Sequence, residues 1–357
     1  MKIEAQTPTI RRKEMDAVLT AMVEDQIGPG ERSKLLLQTA KEQLKFDYAL
    51  ALRSPATALF IALKALGLKE NDRVLLSALS PRYYINVLED LHLKPVFCDV
   101  SFSFPCIDNK SIEKAISDDN KPACILLHHT LGYVPDTFSI CGFEIPVIED
   151  ISQSYCPVLP ALEDDGETAS VKTDEAERER PHGVFTILGL EERDMLTSGG
   201  GALLYAMSRK DSSLLRGFSN TPPEYCLPDI NAALAIAQFK EAQRNALRRR
   251  EIAKVYTQAS LKTRHKKFVP LDDFEYSNYS FSLVFESGMK DVSAYARKKE
   301  IILENAFEQT VAAAGLCDAV LCPVSYSLSL RTVLFPLYPR LGSAEVQRVA
   351  KLIMTLP

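Results

Sequence analysis

Pro146-Val147-Ile148-Glu149-Asp150-Ile151-Ser152-Gln153-Ser154-Tyr155 decides how this chain is read. An apolar run enters two acids, and a small polar turn follows. That is the pattern of a strand ending at the edge of a sheet. In open α/β sheets the ligand crevice lies outside the carboxyl ends of the strands, where Glu149 and Asp150 would stand. Taken alone, the two acids also fit a solvated strand end or a helix N-cap.

The surroundings favour the sheet. Ala123 to His128 reads as a neighbouring strand running into His129-Thr130-Leu131-Gly132. Arg73 to Ala78, Tyr83 to Leu91 and Lys94 to Val100 form a strand–helix–strand unit. Ala49 to Leu52 is a short strand before a turn and an Ala/Leu-rich helix, with Ser54 as N-cap and Pro55 as first helical residue. Residues 11–46 read as helices, with Met15, Val18, Leu19, Met22 and Val23 on one face and a break at Gly28-Pro29-Gly30. Beyond the opening stretch, Gly183 to Leu188 is a buried strand, and Gly199-Gly200-Gly201 opens the strand Ala202 to Tyr205. Strands alternating with helices predict an α/β fold: a three-layer α/β/α domain around a mainly parallel mixed sheet.

After Pro222-Pro223 the character changes. Asp229 to Leu261 predicts a long amphipathic helix whose Arg248-Arg249-Arg250 run faces water. Tyr279 to Phe285 and Thr332 to Leu337 read as strands, Val292 to Lys299 and Ala344 to Thr355 as helices. The reading divides the chain into a large domain, 1–228, and a smaller C-terminal α/β domain, 229–357, led by the long helix. Residues 163–180 are highly charged, with Val171 their one large apolar residue, and read as an exposed loop.

Composition narrows the function classes. A net charge of −5 gives no reason to expect nucleic acid or an anionic membrane surface. No apolar run approaches the ~20 residues that span a bilayer, and the N-terminus shows no apolar signal core. The eight cysteines are scattered without a CxxC pair, which suits the thiols of a reducing, cytoplasmic compartment. His128-His129 has no spaced third ligand and reads as core, so no metal site is predicted.

The order of motifs resembles the DegT/DnrJ/StrS family, sugar aminotransferases of the aspartate-aminotransferase fold that use pyridoxal phosphate (PLP). Arg73 to Val100 runs without a gap against that family's unit ending in KPVFxDV, and Pro146 to Ser154 resembles its PVIEDxAQ stretch. Asp229 to Gln238 is similar to its ELNAAxxxxQ helix start, and Cys322 to Leu341 to its C-terminal LPLxPxL. The resemblance implies that Asp150 pairs with the cofactor's ring nitrogen and Gln153 with its phenolic oxygen. It implies that Thr186 stands where a serine reaches the phosphate. It further implies a dimer, a nucleotide-sugar ligand and a link to polysaccharide biosynthesis.

Other positions depart from the family. The Ser-Gly-Thr phosphate turn becomes Ser54-Pro55-Ala56, which loses an N–H and a hydroxyl. The ring-stacking aromatic falls on Pro81, with Tyr83 and Tyr84 close by. The Schiff-base lysine falls on Arg193 when counted back from the glycines and on Glu191 when counted forward from Phe185; no lysine lies from Val184 to Met207. Transamination needs an amine that deprotonates, attacks an aldehyde and shuttles a proton, and arginine keeps its proton. Neither His182 nor Lys172, in the charged loop, is placed to substitute. A degenerate, non-transaminating member follows, binding a nucleotide sugar or pairing with an active paralogue. Two alternatives remain: an active PLP- or PMP-dependent aminotransferase or dehydratase with a displaced amine, and a non-catalytic partner that makes contact through residues 163–180.

Overall fold

A computed structural model describes residues 2–116, 121–157, 182–271, 276–286 and 289–357. The charged stretch 163–180 lies outside the described residues.

Seven short strands form the main sheet: β1 (Tyr48–Leu52), β2 (Arg73–Ser77), β3 (Lys94–Cys98), β4 (Cys124–His128), β5 (Val147–Asp150), β6 (Phe185–Gly189) and β7 (Ala202–Ala206). Their order is β1-β7-β6-β5-β4-β2-β3. β2 to β6 pair in parallel, while β7 runs antiparallel to both β6 and β1. The central strands are buried on both faces, as their unbroken apolar runs require. On one side lie α3 (Pro55–Ala65) and α4 (Tyr83–Asp90), whose Leu59, Ala62, Tyr84 and Leu88 pack on Leu76, Leu126, Ile148 and Ile187. Ser54 caps α3 by accepting a hydrogen bond from Thr57 N at 3.1 Å, with Pro55 in the first turn. The opposite side is covered in part by α2 (Glu31–Leu44) and α8 (Asp229–Ser260).

A three-stranded sheet of order β8-β10-β9 follows, built from β8 (Phe281–Val284), β9 (Glu304–Asn305) and β10 (Thr332–Phe335). α11 (Ser343–Met354) closes the chain. Leu75 and Leu127 of the main sheet share one apolar cluster with Phe268, Leu328 and Leu334, so the two parts meet through an apolar contact.

One surface expectation, that of a wet Arg249, is overturned, and the first helix shows an exposed apolar face. α1 (Arg12–Val23) forms, but its apolar face points outward: Met15 is 56% exposed and Leu19 58%. The side that meets α8 is small and polar, where Glu14 takes the Arg11 N–H and Ala21 is buried. Arg249, expected on the wet face of α8, is buried. Its Nη1 donates to the carbonyls of Tyr279 (2.8 Å) and Leu337 (2.9 Å). The face of α8 that starts against α2 ends against the small sheet, while Lys240, Arg244, Glu251, Lys254 and Gln258 form an exposed stripe on the other side.

Candidate functional site

The parallel register sets Asp150 beside His128 on β4 and Ile187 on β6. Side chains alternate across a strand, so Asp150 shares the α3/α4 side with Ile148. It ends its strand there, buried. A carboxylate offers about four lone-pair positions, and the chain fills all four. Tyr84 donates its hydroxyl to Oδ2 at 2.7 Å and Tyr83 to the same oxygen at 3.3 Å. Ser152 donates its backbone N–H to Oδ1 at 3.0 Å, and its hydroxyl binds the same atom. Tyr83 and Tyr84 stand edge to face, ring centres 4.9 Å apart. Burial, then the charge of Asp150, pushes both phenols well above their usual range, so they remain donors. His128 is also buried; burial lowers it to about 4, and it is neutral near pH 7.

The remaining cofactor positions are distributed as follows. Gln153 accepts the Leu131 N–H through Oε1 at 2.7 Å. The Ser54 hydroxyl is held within α3, 2.9 Å from Thr57 Oγ1. Ala56, in the first turn of α3, brings a methyl group only. Thr186 pairs in register with Glu149 and Tyr205, which puts it on the far side of the sheet from Asp150. The strand's two-residue period separates them, a consequence that motif matching does not capture.

Arg193 pairs with Glu304 at 2.9 Å and lines a cleft with Asp194 and Arg249. Glu191 is half-buried, and burial raises its carboxyl. The acid that approaches the site from this loop is Asp194. Its Oδ2 accepts the Glu191 N–H at 2.8 Å, closing the turn. Burial, with the nearby Asp150 charge added, pushes its carboxyl well above the usual range, against the Glu191 N–H bond. Asp194 went unremarked in the sequence; its one signal was an acid in the polar run before three glycines. Tyr84 had a signal, lying three residues past the position expected to stack on the ring.

On the other face of β5, Glu149 is buried with His129 and Ser154. His129 Nδ1 lies 2.7 Å from Ser154 Oγ, and its Nε2 is 3.4 Å from Glu149 Oε2 without hydrogen-bond geometry. Burial opposes the charge on Glu149, yet His129 and the Gly183 N–H together hold its carboxyl below the usual range. Among the described residues no three His, Cys, Asp or Glu side chains are grouped to hold a metal, and no helix is long and apolar enough to cross a membrane.

Comparison with known proteins agrees with the fold. The profile of the DegT/DnrJ/EryC1/StrS aminotransferase family matches residues 8–158 and 213–354. An uncharacterized protein of Methanocaldococcus jannaschii, MJ1066, is 24% identical over 275 residues, covering 70% of this chain and 68% of its own length. The aminotransferase TlmJ from Streptoalloteichus hindustanus superposes with a TM-score of 0.82 at 18% identity, covering 99% of this chain and 98% of that one. A GDP-4-keto-6-deoxymannose-3-dehydratase variant with bound GDP-perosamine gives 0.77 at 16% identity, covering 98% and 100%.

Proposed function

This chain belongs to the DegT/DnrJ/EryC1/StrS aminotransferase family, and we propose that it is a member that has given up transamination and serves nucleotide-sugar or polysaccharide biosynthesis as a binding or partner subunit. The observation that carries this reading is the saturated Asp150. An acid that holds a ring nitrogen keeps a lone pair directed at it. Here both oxygens are occupied by Tyr84, Tyr83 and Ser152. A ring nitrogen could bind only by displacing one of these donors from a buried carboxylate, the longest contact being that of Tyr83 at 3.3 Å. The substituted phosphate turn and the absence of lysine from Val184 to Met207 point the same way. The residues present therefore do not suit PLP, the cofactor of the family.

The partner role draws on α1. Met15, Leu19, Met22 and Val23 recur at helical spacing and stay exposed, a stripe that suits contact with another subunit. That subunit is a second copy or an active paralogue. A nucleotide sugar is the ligand class, by analogy with the bound GDP-perosamine of the dehydratase relative, and the cytoplasm is the compartment, in keeping with eight free thiols.

The experiment is turnover. The full chain is incubated with PLP, glutamate and a keto-sugar nucleotide, and 2-oxoglutarate is measured. No product above the protein-free control is expected. Turnover that Asp150→Asn abolishes would establish the opposite reading, an active enzyme with a displaced amine, which the retention of a buried acid at this strand end favours.

A further inference from the structure

Arg249 sits in the run that the sequence assigns to a wet face, yet it is only 9% exposed. Nη1 is committed to the carbonyls of Tyr279 and Leu337. Nε and Nη2 bond to no described residue, and no described carboxylate forms an ion pair with this guanidinium. Burial lowers Arg249 to about 10, which leaves it protonated at neutral pH. A buried cation without a counter-charge is costly, and proteins seldom keep one unpaired.

The guanidinium lines a cleft of about 70 Å³ between the N-terminal segment, the loop after β6 and the small sheet. Gln6, Glu192, Arg193, Asp194, Thr197 and Gln238 line it too. The Gln6 Oε1 is buried there without a donor. One water needs roughly 10–15 Å³ on this measure, so the space holds several waters or one small ion, and no sugar nucleotide.

We propose that this cleft binds a small oxyanion, a carboxylate or inorganic phosphate, on the Nε and Nη2 donors of Arg249. The guanidinium fork matches two oxygens of such a group. The unpaired Gln6 oxygen then accepts a hydrogen bond from the ligand itself, from the O–H of a hydrogen phosphate or the N–H of an amino acid. The site stands independently of whether the chain transaminates.

The test uses the full chain. Thermal unfolding is followed in phosphate, acetate and glutamate against chloride at matched ionic strength, and Kd is read by calorimetry. Stabilisation that grows with ligand concentration is expected for phosphate or for a carboxylate, and the stronger of the two names the source. Arg249→Lys keeps the charge and loses the fork, so Kd should weaken by about tenfold or more. Gln6→Met, on the partly exposed N-terminal segment, should also weaken it and decides the matter if Arg249→Lys does not fold. No stabilisation beyond chloride, or affinity left unchanged in the variants that fold, overturns the proposal.

Discussion

Asp150 is the residue on which the proposed loss of transamination rests. The acid stands at the strand end where the sequence placed it, but its partners are its own neighbours. Tyr84 contributes a 2.7 Å bond to a buried charge. Such a bond contributes about 2 kcal/mol, because its loss leaves a charged acceptor short of a donor. Tyr84→Phe should therefore destabilise the chain by about 2 kcal/mol in urea unfolding, and Tyr83→Phe, with a 3.3 Å contact from a half-buried ring, by less than about 1 kcal/mol. Equal stability of Tyr84→Phe and the parent chain would mean that Asp150 does not depend on this phenol. The sequence revealed the acid and the closeness of both tyrosines; it did not reveal that they meet, because a helix register and a strand register must both be known before a phenol can be aimed at a carboxylate.

Among the elements, strand runs were the most readable part of the chain. Continuous apolar stretches such as Cys124–His128 and Ala202–Ala206 are too short for a typical buried helix and form strands with both faces covered. Helix faces were less readable. The 3.6-residue period of α1 located the helix, but not which side would be buried, since α8 offers a contact for a small, polar surface. The glycine run makes a sharper case. Gly199, Gly200 and Gly201 all have positive φ, at 73°, 144° and 127°. A Cβ on Gly201 would collide with Leu227, whereas one on Gly199 meets nothing within 4 Å. Gly201→Ala should cost about 3 kcal/mol or more, combining a backbone outside the L-residue regions with overpacking. Gly199→Ala should cost about 1 kcal/mol, the left-handed penalty alone. Thermal unfolding of the two variants checks the order, and equal losses would show that the Leu227 contact does not limit this turn.

For the molecule as a whole, the sheet order and the small C-terminal sheet place the chain within a fold whose relatives include aminotransferases and a sugar dehydratase. That much was legible because the motif order carries it. The separation of Thr186 from Asp150 and the burial of Arg249 were not legible, since both depend on which face of an element meets which neighbour. On the proposed function, Asp150 is held by Tyr83, Tyr84 and Ser152 in place of a PLP ring nitrogen. The most direct measurement is a PLP titration followed by absorbance, then borohydride reduction and intact-mass analysis. No band beyond that of free PLP, and no mass gain that maps to a specific lysine, is expected. A saturable band, with one reduced PLP adduct on a single lysine, would contradict the proposed function.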